Sequence, residues 1–109
     1  MESGKLRHYA RIERDVVVAV GERGSKISEP QTVYDKVPCE ILTLSGKELE
    51  FAKTLAPKAT VQIRMRYLPN IGPDVRFVWN GRTFNAEHVN NVEQRNRELI
   101  VLCVEPVGA

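Results

Sequence analysis

The sequence predicts a mainly β domain: a small antiparallel β-barrel of five to six strands, with one short α-helix and a long protruding loop. Three observations carry that prediction. Residues 6–12 and 60–67 alternate apolar and polar side chains with a period of two, the signature of half-buried strands. Asn80-Gly81 stands between two strand-like runs, and both residues tolerate the positive φ of a tight hairpin turn. One segment, residues 45–56, carries helix spacing followed by a helix stop. Closure follows because so short a chain has little with which to cover open strand edges.

Taken in order, Leu6, His8, Ala10 and Ile12 share one face of the first strand, while Arg7, Tyr9, Arg11 and Glu13 share the other. The β-branched run at 16–20 either continues this strand or pairs elsewhere. Residues 21–30 are polar, carry Gly21 and Gly24 and end in Pro30, which reads as the long loop, a mobile hairpin tip. A loop of that length in a small domain is usually functional or disordered. Strand character returns at 33–44, where Pro38 points to an edge or a bulge.

Ser45-Gly46-Lys47-Glu48 has the capping-box form, in which the serine hydroxyl takes the N–H of Glu48 and the glutamate returns to Ser45. Leu49, Ala52 and Ala56 follow at helical spacing, with Phe51 and Leu55 as a second apolar pair, until Pro57 ends the helix. In the next strand Val61, Ile63, Met65 and Tyr67 alternate with Gln62, Arg64 and Arg66. Residues 68–73 are turn chemistry, 75–79 and 82–89 form the hairpin around Asn80-Gly81, and 90–96 are a polar loop. The last run, 99–104, is almost wholly apolar and reads as a strand buried on both faces.

The chain has 109 residues, 42% of them hydrophobic and 28% charged, which is one folded domain, residues 1–109, with a modest core. A net charge of +2 excludes a strongly basic nucleic-acid protein of the tail-rich kind. Cys39 and Cys103 are far apart and sit in apolar runs. They read as buried thiols in a reducing compartment, with neither a disulfide framework nor a zinc site. The first fifteen residues lack the apolar core of a secretory signal, and no run reaches membrane-spanning length. The expectation is therefore a protein made and kept in a cytoplasm, or built into something there, with no membrane contact.

Nothing in the sequence points to catalysis. No nucleophile elbow, zinc-protease motif, phosphate loop or dinucleotide fingerprint is present, and no catalytic residue, cofactor or metal is expected. His8 falls on the apolar face of its strand and reads as a hydrogen-bonded structural histidine; His88, beside Glu87, reads as a surface residue. A charged surface is legible in Arg64, Arg66, Arg76 and Arg82. It would serve either as a platform for single-stranded nucleic acid or as the partner of an acidic neighbouring subunit. Because the aromatics alternate with the arginines, they belong mostly to the core-facing side.

Five segments, in register over nearly the whole chain, resemble one family. They are Gly4-Lys5-Leu6-Arg7-His8 with Ile12 and Arg14; Leu44-Ser45-Gly46-Lys47-Glu48-Leu49; Ile63-Arg64-Met65-Arg66-Tyr67; Arg76-Phe77-Val78-Trp79-Asn80-Gly81-Arg82-Thr83-Phe84-Asn85; and Arg95-Asn96-Arg97-Glu98-Leu99. The sequence is similar to the tailed-phage head–tail joining proteins, also called head-closure or stopper proteins. Two places depart from the pattern: Tyr9-Ala10 stands where a basic and an apolar residue are more usual, and Ala86 replaces a bulkier apolar residue.

The resemblance implies a structural virion protein, made in the host bacterial cytoplasm and placed in the neck. It implies a ring of twelve copies beneath the portal and its adaptor ring. That ring would close the DNA-filled head and offer a platform to a tail terminator or tail-joining protein. It also implies that Ser45, Gly46, Lys47 and Glu48 approach the channel, with non-specific contact to packaged double-stranded DNA. Gly21, Glu22, Arg23, Gly24, Ser25 and Lys26 would then form an inter-ring or inter-subunit loop. The alternative reading is a small barrel that binds single-stranded nucleic acid through the four arginines.

Overall fold

The computed structural model describes residues 7–106 and shows six antiparallel strands and one α-helix. The strands are β1 (His8–Val20), β2 (Lys26–Thr43), β3 (Val61–Arg66), β4 (Val75–Trp79), β5 (Arg82–Asn91) and β6 (Glu98–Val104); α1 (Gly46–Leu55) joins β2 to β3. Around the barrel they run β1-β2-β3-β6-β5-β4, and β4 pairs back onto β1 to close it. The expected inward position of Leu6 and the Gly4-Lys5 opening lie outside the described residues.

The period-two alternation of the sequence becomes the inside and outside of the wall. Ile12, Ile63, Met65, Phe77, Phe84, Val101, Cys39 and Cys103 are the largest fully buried side chains. Ala10 and Ala86 are small residues of the same buried core as Phe77 and Phe84, while Tyr9, the other residue that departs from the family pattern, is exposed. At the hairpin, Asn80 (φ 50°) and Gly81 (φ 76°) both take the left-handed conformation, and Trp79 pairs with Arg82 across them. In β6, Leu99, Val101 and Cys103 face the barrel interior, and Leu102 is buried on the other side beneath Leu44, Ala52, Ala56 and Ala59. That last strand is covered on both faces, as its sequence predicts.

Four expectations are corrected. Residues 21–30 are not one long loop. Only 21–25 leave the ladder, in a short 3-10 turn, while Lys26 and Ile27 pair with Val20 and Ala19, and Ser28, Glu29 and Pro30 pair with Val17, Val16 and Asp15. What protrudes is a two-stranded ribbon, the arm, in which the valine run at 16–20 continues β1. The arm has no core behind it, so none of its faces has to be uniformly apolar, and its second strand reads as a loop for that reason.

The capping box is the second correction. Ser45 is the N-cap residue of α1, yet its side chain makes no capping hydrogen bond. Gly46 enters the helix at φ 58°, which turns the backbone off the helical path where the Ser45 hydroxyl would need to meet the first-turn amides. Third, the expected hydrogen bond to His8 is not found among the described residues: its ring meets Trp79 edge-to-face at 4.6 Å, and its buried Nδ1 has no partner among them. Fourth, His88 is half-buried. An extra residue at Glu87 shifts the register between Ala86 and His88, so the strand changes phase and His88 turns toward the outer face beneath α1.

Both cysteines are buried and free. Burial pushes the Cys39 thiol up to about 11, against a partial lowering by a backbone hydrogen bond at Ala10. Burial, and then the charge of Glu87, raises Cys103 as well. The folded protein is therefore expected to resist thiol alkylation at neutral pH and to expose both thiols in guanidinium, read by counting modified cysteines. The raised values also carry a pH dependence. Unfolded thiols ionise near 9.0 and the folded Cys39 near 11, so this contribution is whole below about pH 9 and is lost as pH rises through 11.

Candidate functional site

Two surfaces stand out, and both are apolar where solvent is expected. The first is the arm. The pairing of β1 with β4 ends at Arg14 and Val75, and that of β2 with β3 begins at Cys39 and Met65. Beyond those points the two strands pair only with each other, and the molecule extends to 48 Å against 28 and 26 Å across. On the arm Val17, Val18, Val20 and Ile27 are half or more exposed, Val20 most of all at 70%. A bulge between Val17 and Ala19 adds one residue to β1 and increases the local twist.

At the arm's tip, Arg23 (φ 61°) and Gly24 (φ 77°) both take positive φ, and the Gly21 amide donates to the Ser25 carbonyl at 2.6 Å. A Cβ at Gly21 would meet the Ser25 hydroxyl oxygen at 3.0 Å, so glycine keeps the turn tight. Of the six residues expected to form a contact loop, Gly21, Glu22, Arg23, Gly24 and Ser25 are that tip, and Lys26 is the first residue of β2.

The second surface is the cleft beside α1. Ala52 and Ala56 seat the helix on Leu102, which leaves Phe51 70% and Leu55 49% exposed. Between helix and wall lies a cleft of about 550 Å³ lined by Leu42, Phe51, Leu55, Ile100 and Leu102, with Lys47, Glu48, Arg64 and His88 at its margins. Ser45, Gly46, Lys47 and Glu48 are all exposed at the head of this helix. The structure thus brings Lys47 and Glu48 together with the apolar cleft, a neighbourhood that sequence spacing does not reveal.

The four arginines are not one platform. Arg64 and Arg66 lie on the outer face of β3, while Arg76 lies on β4, three strands away around the barrel in either direction, with Arg82 across the hairpin on β5. Three of the four are held by carboxylates. Arg64 Nε lies 2.9 Å from Glu98, Arg76 binds Glu13 at 3.2 Å and Asp15 at 2.9 Å, and Arg82 makes two bonds of 2.8 Å to Glu105. Burial pulls the Arg76 guanidinium down, but the two carboxylates outweigh it and raise it further. Arg82 is raised by its bond to Glu105, whose own carboxyl is held below the usual range by the same bond. Arg82 also lies over the Trp79 and Phe84 rings, at 5.9 and 5.1 Å. The aromatics are inside, as expected: Phe77 and Phe84 are fully buried, and Tyr67 and Trp79 pack partly against the core.

A closed barrel that leaves apolar surface bare on an arm and along a helix has the form of a building block, completed by contacts with other chains. The phage head completion protein family matches this sequence over residues 1–106, and the chain belongs to that family. It is accordingly a structural virion component with a role in head completion, in association with other head and tail proteins.

The solved structures that share the fold include these two. One is the solution structure of protein SF1141 from Shigella flexneri 2a, 22% identical over 100% of both chains, with a TM-score of 0.78. The other is a chain of the virion of a native gene transfer agent particle, 21% identical over 94% of this chain and 97% of that one, with a TM-score of 0.63. Comparison with curated protein sequences returns no match.

Proposed function

We propose that the protein completes the head as a homo-oligomeric ring of twelve copies in the head–tail connector. The ring lies between the portal's adaptor ring and the tail terminator or tail-joining protein, helps close the DNA-filled head and forms the tail attachment platform. Ser45, Gly46, Lys47 and Glu48 face the channel, where contact with packaged double-stranded DNA is non-specific. The tip residues Gly21 to Lys26 reach an adjacent subunit or ring.

The observation that supports this reading most is the bare apolar arm. A ribbon with Val17, Val18, Val20 and Ile27 in water gains by being covered, and an obligate neighbour covers it. The charge pattern agrees: a net charge of only +2, with both signs spread over the wall, suits like copies packed head to tail.

Light scattering on the purified chain and imaging of particles made with and without it test the reading together. The expected result is a chain that forms its ring on particles, and particles lacking it that carry filled but leaky or tailless heads. Particles that hold DNA and join tails normally without the chain would remove the proposed role.

A further inference from the structure

The two edges of the arm differ in a way the ring alone does not explain. On β1 the outer edge reads Val16-Val17-Val18-Ala19-Val20: β-branched, without proline or charge, and beyond the last β4 pair at Arg14. Such an edge is a ready template for another strand, and proteins usually blunt it. On β2 the outer edge is also unpaired between Lys26 and the first β3 pair at Cys39, and it carries Lys26, Glu29 and Pro30. Each arm therefore presents one bare edge and one guarded edge along the same stretch.

We infer that the arms of neighbouring copies pair edge to edge, the β1 edge of one against the β2 edge of the next. The inference rests on the ring reading. Cyclic symmetry supplies the strand direction: every β1 runs one way and every β2 the other, so each junction is antiparallel without any rearrangement. Charge supplies the partner. The β1 run 16–20 carries no charge, so Lys26 and Glu29 on the facing edge meet no like charge there. At the tips, Glu22 of one copy comes beside Arg23 and Lys26 of the next, which favours a second copy as the neighbour.

Width supplies the place. An arm is two strands, roughly 10 Å, across, whereas the whole molecule measures 28 by 26 Å in its short directions. Neighbouring arms meet where they converge, at their distal halves, with Val18 and Val20 beside Lys26 and Ser28 of the next copy. The pairing gives the unpaired backbone groups of both edges their partners and covers the valines at the same time.

Two variants that each add one cysteine, Val20→Cys and Lys26→Cys, test the inference when assembled together on particles and oxidised. Neither variant has a second accessible thiol, because Cys39 and Cys103 are buried. The expected result is disulfide-linked dimers at about tenfold or greater yield in the mixture than with either variant alone. Amide exchange on the unmodified protein is the companion measurement. Residues 16–20 and 26–29 should both exchange about tenfold or more slowly on particles than in the isolated chain.

Rings with no excess of dimers in the mixture overturn the pairing and leave the ring reading intact. Protection of 16–20 alone, without dimers, means that another protein's strand occupies the edge, and this too overturns it. Particles imaged without a ring of this protein overturn both readings.

Discussion

Phe77→Ala is expected to cost about 3–5 kcal/mol, out of a total that for a domain of this kind is roughly 5–15 kcal/mol. Phe77 is fully buried on β4 opposite Phe84, and these two are the largest of the fully buried side chains. Neighbouring inward positions include Ala10 and Ala86, which have no length with which to fill the space left behind. A closed wall also cannot collapse onto a cavity without breaking strand pairs. The denaturant midpoint measures the loss. Phe51→Ala is the control, because a phenylalanine 70% exposed on α1 should change stability by no more than about 0.5 kcal/mol. Equal losses at the two positions would mean that Phe77 does not organise the core.

Replacing residues 15–30 with Asn-Gly should have the largest effect on assembly and a small one on folding. The substitution joins Arg14 to Gln31, which already face each other across the ladder, through the two-residue turn that favours tight hairpins. It removes no pair between β1 and β4 or between β2 and β3. The ion pair from Arg76 to exposed Asp15 is lost, worth about 0–1 kcal/mol, while Arg76 keeps Glu13.

The barrel should therefore melt near the unmodified protein. Incorporation into particles should fall by about a hundredfold or more, because four half-exposed apolar side chains, each worth about 1 kcal/mol on covering, go with the arm. Particle-bound protein, measured against the unmodified chain in competition, is the readout. Undiminished incorporation would show that the arm does not hold the protein in its assembly.

Most of the fold is legible in the sequence wherever one face of an element meets the core. Val61, Ile63 and Met65 alternate with Gln62, Arg64 and Arg66 because the wall has an inside and an outside, and Asn80-Gly81 marks its turn by backbone chemistry alone. The same rule explains the misreading of residues 26–30. A ribbon packed on nothing has no face to keep apolar, so Ser28, Glu29 and Pro30 look like loop residues although they sit in a ladder. The candidate site is less legible. Spacing places Arg64 and Arg66 on one face, but the strand order carries Arg76 to the opposite wall, and closure of a barrel is a long-range property. The cleft of Leu42, Phe51 and Ile100 has no sequence signature either, since its walls come from separate elements.

The sequence by itself determined the mainly β class, the single helix, the hairpin and the core-facing residues, because each follows from local chemistry or from a period set by one buried side. Tertiary structure alone decided the strand order, the pairing of each arginine with its carboxylate, the turned-out His88 and the bare edges of the arm. Those depend on which distant segments lie side by side, and a chain fixes its neighbours only when it closes.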